Sequence, residues 1–256
     1  MILSLDSLRF SWGEREILSD ASLTVRPGEL TALVGSNGAG KTTLLRIAAG
    51  LLSPAAGAVR YGATNHNAAS AAERAALVSS VFPSDFIPQA VTVRGFLSLC
   101  ASADLPAWRQ ADPAPVLAAM EFTGCAHLAG SALTELSSGE LQLVLIASAL
   151  SRDTGILIFD EPLSHLDITR SAAILRLLRR IAESGRAVLC SVHDINLALQ
   201  IPHRLAALAG GRIIYEGDAA GFSAPSLAER TFGGAFARIA GAHTTILVPE
   251  GAMNHG

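Results

Sequence analysis

Lys41 is the one lysine in a chain that carries eighteen arginines, and it stands inside Gly35-Ser36-Asn37-Gly38-Ala39-Gly40-Lys41-Thr42-Thr43. A guanidinium is a planar fork that favours bidentate partners, whereas an ammonium is a compact point charge on a flexible stem. A tight glycine loop wrapped around a phosphate suits the point charge. The pattern G-x-x-x-x-G-K-T places backbone N–H groups around phosphates, the lysine on the β- and γ-oxygens and the threonine hydroxyl on magnesium. Lys41 is therefore expected to bind nucleotide phosphate, with Thr42 at the metal.

Two more groups with chemical potential stand at the ends of apolar runs. Ile156-Leu-Ile-Phe-Asp160-Glu161-Pro162 finishes on adjacent carboxylates. Asp160 can hold magnesium through water, and Glu161 can polarise an attacking water. Ala187-Val-Leu-Cys-Ser-Val-His193-Asp194 ends on a histidine. A lone histidine is usually structural; in third place behind the loop and the carboxylate pair, His193 is expected to sense the γ-phosphate.

Positioning these groups requires strands that end where the chemistry starts. Glu29 to Val34 predicts a strand entering the phosphate loop, and Lys41 to Ala49 a helix leaving it, so that a helix N-terminus faces the anion. Upstream, Ile2 to Phe10 and Ile17 to Val25 predict strands separated by a break at Gly13-Glu14-Arg15. A short strand is expected at residues 55–62, a helix from Ala68 to Ala76, and a strand at Leu77-Val78. From about Ser84 to Leu150, prolines at 83, 88, 106, 113 and 115 separate helix-length segments, which predicts a mainly helical insertion. Gly155 to Asp160 and Ala187 to Val192 predict buried parallel strands, with an amphipathic helix at Ile174 to Ser184 between them. The tail from Gly241 is weakly patterned. Strands alternating with helices imply an α/β fold. The divisions are 1–83 (antiparallel β subdomain and phosphate loop), 84–150 (helical subdomain) and 151–256 (second part of the core and tail).

Composition excludes other classes. Half of the 256 residues are hydrophobic and 16% are charged, as in a globular chain. The net charge of −3 leaves no basic footprint for nucleic acid. Cys100, Cys125 and Cys190 are scattered without ligand spacing, which predicts reduced thiols. The N-terminus lacks an export pattern and no apolar run reaches a membrane span. A cytosolic location is expected, with a peripheral place on a membrane partner left open.

Taken in order, these residues resemble the ATPase subunit of ATP-binding cassette (ABC) proteins over nearly the whole chain. Leu136-Ser137-Ser138-Gly139-Glu140 is similar to the family's LSGGQ signature, Ser164-His165-Leu166-Asp167 to its D-loop, and His193 to its switch histidine. Trp12 lies where the family stacks an aromatic on adenine, with Phe10 as the alternate. The resemblance implies a P-loop NTPase core with a parallel sheet, an antiparallel β subdomain and a helical signature subdomain. It also implies ATP and Mg2+ as cofactors, and a homodimer in which Ser137, Ser138, Gly139, Glu140 and Asp167 complete the partner's ATP site. The Ser137 hydroxyl and the Gly139 backbone N–H would bind the γ-phosphate there.

The chain departs from the pattern in places. The family's glutamine after the strand at Leu77-Val78, which contacts magnesium, is missing. Ser80 aligns with that position, and Gln89 stands too far along. In the signature, Ser138 replaces a glycine and Glu140 the glutamine. With Asp160, Glu161 and His193 present, an active ATPase is expected.

Short length, Val91-Thr-Val-Arg94 and His193-Asp-Ile-Asn-Leu-Ala198 resemble the ATPases of iron–siderophore, haem and cobalamin importers. That implies a separate integral-membrane permease and a peripheral position on the cytoplasmic face of the inner membrane. Phe82 to Pro88 and the following helix would receive a permease helix, with Phe82, Phe86 and Ile87 as partly exposed contacts; packing within the insertion's own core is the other reading of these three. The alternative function is a soluble ABC ATPase such as one serving iron–sulfur cluster assembly. A P-loop kinase or GTPase is set aside, because N-K-x-D would need a second lysine and a kinase would not need residues 136–140.

Overall fold

The computed structural model describes residues 1–83, 91–102, 112–240 and 245–249. The chain opens with β1 (Leu3–Trp12) and β2 (Arg15–Val25), an antiparallel pair turning at Gly13-Glu14. Strand β3 (Leu30–Val34) runs into the phosphate loop and α1 (Lys41–Ala48). Strands β4 (Ala56–Tyr61) and β5 (Thr64–Asn65) complete the antiparallel part, and α2 (Ala71–Leu77) leads directly into β6 (Val78–Val81). Three helices follow: α3 (Val93–Ser102), α4 (Pro113–Thr123) and α5 (Ser138–Leu150). Then come β7 (Ile156–Phe159), α6 (Ile168–Glu183), β8 (Ala187–Ser191) and α7 (Ile195–Gln200). The remainder is β9 (Arg204–Ala209), β10 (Arg212–Gly217), α8 (Ala219–Phe222), α9 (Pro225–Phe232) and a hairpin of β11 (Phe236–Ala240) with β12 (Thr245–Pro249).

Ten strands form one sheet in the order β5-β4-β1-β2-β10-β9-β3-β8-β7-β6. The run β9-β3-β8-β7-β6 is parallel throughout. Its central strands β3, β7 and β8 are buried at every position, because helices or other strands cover both faces. Alternate residues feed two cores. Leu30, Ala32, Val34, Leu157, Phe159, Val188 and Cys190 join the core shared with α3 to α7. Leu33, Ile156, Ile158, Ala187 and Leu189 join the core beneath α1, β1 and β2. At about 25 cal/mol per Å² of apolar surface removed from water, this two-sided burial is the main force fixing the strand order.

Helix α6 begins six residues before the expected Ile174. Asp167 caps it by accepting a hydrogen bond from Arg170 N at 2.8 Å, which satisfies a first-turn donor. The tail after Gly241 also carries more structure than its pattern implied, since β12 pairs with β11 from Thr245 to Pro249. Phe86, Ile87 and Gln89 lie outside the described residues. Phe82 is buried, with 3% of its surface exposed and the Arg46 guanidinium 5.7 Å from its ring centre, so it packs the core and is not an exposed docking contact.

Candidate nucleotide site

In the parallel sheet β8 lies between β3 and β7, so the segments leaving these three strands converge at one edge. From β3 comes the loop Gly35–Gly40. Gly35 is tightly set: a Cβ there would meet the Leu208 carbonyl oxygen at 2.6 Å. Gly40 has φ 103°, a left-handed conformation, and a Cβ would meet Ile17 Cγ2 at 2.9 Å. The loop folds over its own cation. Lys41 Nζ donates to Gly35 O at 2.8 Å and Ser36 O at 3.0 Å. Burial pulls the Lys41 ammonium below its ordinary pKa, while the carboxylates of Glu161 and Asp160 push it back up.

From β7 come the carboxylates. Asp160 is buried, and its Oδ2 accepts from Thr42 Oγ1 at 2.7 Å. Its Oδ1 accepts from Ser191 Oγ at 2.8 Å. The same Ser191 oxygen accepts from Glu161 N at 2.6 Å. Glu161 has φ 50°, rare for a residue with a side chain, and Ser164 Oγ donates to its carbonyl at 2.7 Å. From beyond β8, His193 Nε2 lies 3.0 Å from Glu161 Oε1. A cavity of about 270 Å³ runs over this floor, lined by Asn37, Gly38, Lys41, Thr42, Glu161 and His193, with Gly40 and Thr43 also at its wall.

Reading the sequence missed three contributors. Ser191 was hidden in an apolar strand; its only signal was a hydroxyl at the end of the run. Arg15 and Ile17 line the cavity from β2. Trp12 pairs across the hairpin with Arg15, is 53% exposed, and meets Phe10 edge to face at 5.1 Å. It therefore stands beside the cavity wall, next to the lining residue Arg15; Ser36 precedes the lining residues of the loop and Ala39 lies between Gly38 and Gly40.

The structure does not bring Ser80 to this site. Ser80 pairs with Ile158, two residues behind Asp160, which at 3.3 Å per residue is about 6–7 Å short. It lines a separate cavity with Ala49, Gly50 and Leu51, at the far end of α1 from Thr42. The residue level with Asp160 is the buried Phe82, followed by Pro83, whose side chain has no oxygen or nitrogen to offer a metal.

Ser137, Ser138, Gly139 and Glu140 form a second anion-ready place at the start of α5. Ser137 is the N-cap: its Oγ accepts from Glu140 N at 3.4 Å, and Glu140 Oε2 accepts from Ser137 N at 2.9 Å and Ser137 Oγ at 2.6 Å. The Ser137 hydroxyl and N–H hold the Glu140 carboxyl below its usual pKa. Ser138 Oγ donates to His165 O at 3.4 Å, which ties the signature to the turn before Asp167. A cavity of about 270 Å³ opens here among Ser137, Gly139, Glu140, Leu143, Arg170 and Ile174. It shares no lining residue with the cavity over Lys41.

A lysine loop, a threonine–aspartate contact, a glutamate–histidine contact and a separate serine-capped helix thus occupy one fold. Residues 18–164 match the family model described as ABC transporter, more than half of the chain. The chain belongs to the ABC transporter family. Cassettes of this family are ATP-hydrolysing subunits. The iron(3+)-hydroxamate import ATP-binding protein of Bacillus subtilis (strain 168) is 31% identical over 90% of this cassette and 87% of its own length. A cobalamin import ATP-binding protein of Halobacterium salinarum is 34% identical over 83% of the cassette and 54% of its own length, so the chain spans about half of that relative. Among solved structures, a chain of an inward-facing metal-chelate type ABC transporter superposes with a TM-score of 0.82, at 20% identity, over 98% of this chain and 99% of that one.

Proposed function

We propose that this cassette is the ATP-hydrolysing subunit of an importer that moves a metal chelate, such as an iron–siderophore complex, haem or a cobalamin, through a separate membrane permease. The observation that carries the reading is the convergence of Lys41, Thr42, Asp160, Glu161 and His193 at one sheet edge. The names of the hydroxamate and cobalamin relatives support the substrate class.

In this reading the ATP phosphates displace the Gly35 and Ser36 carbonyls from Lys41 and collect the N–H groups of the loop. Thr42 and Asp160 fit magnesium: a hydroxyl and a carboxylate already in contact form the hard-oxygen pair that this ion prefers alongside phosphates. Bound there, the ion would neutralise charge between the β- and γ-phosphates. Glu161 accepts the proton of the attacking water, and His193 holds the Glu161 carboxylate in place. Trp12 covers the adenine. Ser137, Ser138, Gly139, Glu140 and Asp167 act on the ATP of a second copy, because their cavity opens apart from Lys41. Two cassettes related by a two-fold axis then close on two ATP molecules and separate after hydrolysis.

Among the described residues no helix is long and apolar enough to cross a membrane. The cassette would sit peripherally at the cytoplasmic face of the inner membrane. A cavity of about 380 Å³ between α1, α2, β6 and α5 offers a seat for a permease helix, lined by Gly50, Leu51, Arg74, Ser79, Ser80 and Arg152. Leu51 is exposed at its rim.

The test is to tag the chain, solubilise native membranes gently and identify what co-purifies, with cytosol processed in parallel. A multi-span permease in stoichiometric yield is expected. Soluble scaffold proteins alone, with nothing from the membrane, would overturn the importer reading in favour of an assembly ATPase.

A further inference from the structure

The switch histidine is followed by a very short helix. Isolated helices below about 12–15 residues are marginal in water, so the six-residue α7 must take its position from what it touches. Asp194 caps it, accepting from Asn196 N at 2.8 Å and Leu197 N at 3.2 Å. Leu197, Ala198 and Leu199 are buried beneath it.

Asn196 makes the unusual contact. Its Oδ1 accepts from Leu247 N at 2.9 Å and its Nδ2 donates to Leu247 O at 3.3 Å. One side-chain amide thus pairs with both backbone groups of a single residue, fifty-one positions away. That is the pairing a neighbouring strand would supply to the outer edge of β12. Leu247 is 1% exposed, so the clamp sits over an anchored point of the hairpin and not over a frayed end. The hairpin is held in turn by Phe236 N donating to Glu229 Oε1 at 3.4 Å and by the Phe232 and Phe236 rings at 6.1 Å. His193, in contrast, is partly exposed and is held by Glu161 alone among its described ion-pair contacts.

We propose that Asn196 is a positioning residue for ATP hydrolysis: by clamping α7 to β12, it fixes the turn that presents His193 to Glu161. The C-terminal hairpin is then a working part of the nucleotide site and not an appendage. The inference rests on the proposed roles of Glu161 and His193.

The experiment measures steady-state ATP hydrolysis and thermal unfolding of the full chain for Asn196→Ala, Asn196→Asp and His193→Ala. Removing the clamp displaces His193 by a fraction of its contact distance, so Asn196→Ala should lower kcat roughly ten-fold with KM for ATP within about two-fold of the parent. In Asn196→Asp, a protonated carboxyl can both donate to and accept from Leu247, whereas a carboxylate can only accept. An ordinary aspartate, with a pKa of about 3.9, is a carboxylate throughout the assay range, so Asn196→Asp, which keeps the size of the side chain but cannot donate to Leu247 O, should lower kcat about as much as Asn196→Ala. If Asn196→Ala does not fold, Asn196→Asp decides alone: a kcat at the parent value overturns the inference. If His193→Ala is inactive while Asn196→Ala keeps the parent kcat, or loses kcat, KM and unfolding temperature together, the inference falls. If His193→Ala itself turns over at the parent rate, it is the assignment of the site that fails.

Discussion

Replacing Ser191 with alanine tests how the two carboxylates are held. The Ser191 side chain is wholly buried, donates to Asp160 Oδ1 at 2.8 Å and accepts from Glu161 N at 2.6 Å. A buried hydrogen bond to a charged group contributes about 1.5–3 kcal/mol, and stranding the partly buried Glu161 N–H adds about 1 kcal/mol. The expected loss is therefore about 2.5–4 kcal/mol. For a chain of this size each kcal/mol lowers the unfolding temperature by about 2–4 °C, which gives a fall of roughly 10 °C. The second consequence concerns chemistry. Glu161 sits at φ 50°, a conformation that costs roughly 1–2 kcal/mol for a residue with a Cβ, and Ser191 is one of the ties that keep it there. Without that tie the Glu161 backbone relaxes and its carboxylate leaves His193. Hydrolysis should lose at least about ten-fold in kcat, with a smaller change in KM, because the phosphate loop is untouched. Thermal unfolding and steady-state ATPase kinetics on the same preparation read both. An unfolding temperature within about 1 °C of the parent and kcat within about two-fold would show that Ser191 does not hold the two carboxylates.

Three further outcomes are expected. Glu161→Gln should bind ATP, cease turnover and accumulate as an ATP-dependent dimer by light scattering; turnover at the parent rate would place the base elsewhere. Gly40→Ala forces a Cβ into a φ of 103° and to 2.9 Å from Ile17 Cγ2, at a cost of about 1–3 kcal/mol, and should abolish nucleotide binding in a titration. Affinity within about two-fold of the parent would show that the loop is not held as described. Glu140 titrates below its ordinary value of 4.5 because Ser137 donates to its carboxylate. Its stabilising contribution is therefore complete above that value and fades as pH falls through the lowered one. Glu73 and Glu183 shift the same way, so the quantity to measure is the parent minus Glu140→Gln difference in unfolding temperature against pH. A difference that stays constant through the acid range would contradict the Ser137–Glu140 contact.

The phosphate loop and the strands around it were legible because burial on both faces leaves a continuous apolar run, and because each run ends on a functional residue. Strands β3, β7 and β8 all follow that rule. What escaped depended on register and on capping, neither of which leaves a periodic mark. Ser191 matters only because Phe159 pairs with Cys190, which sets the next residue of each strand side by side. Ser80 pairs with Ile158, two residues short of Asp160, and in a four-residue strand that displacement takes a side chain out of the site. The first turn of α6 carries the outward Ile168, 70% exposed, so no apolar stripe announced it. The terminal hairpin was obscure for a similar reason: Ile239 and Ile246, a cross-strand pair, both face outward and break the usual alternation.

The contacts of β6 bear on how a partner could influence the nucleotide site. Neither the Phe82 nor the Pro83 side chain, the described residues that follow β6, offers a metal an oxygen or nitrogen, yet β6 is tied to the site through its backbone: Asp160 N donates to Val81 O at 2.9 Å. The second tie runs through α1. The Arg46 guanidinium lies over the Phe82 ring, and the Arg46 carbonyl accepts from Leu51 N at 2.9 Å and Leu52 N at 3.3 Å. One end of this eight-residue helix, about 12 Å long, carries Thr42 against Asp160, and the other borders the cavity at Gly50 and Leu51. Ser79 and Ser80 face that cavity from β6, and the buried Ser79 hydroxyl has no hydrogen-bond partner among the described residues. A helix seated in the cavity would therefore press on the same two elements, α1 and β6, that hold Thr42 and Asp160 together.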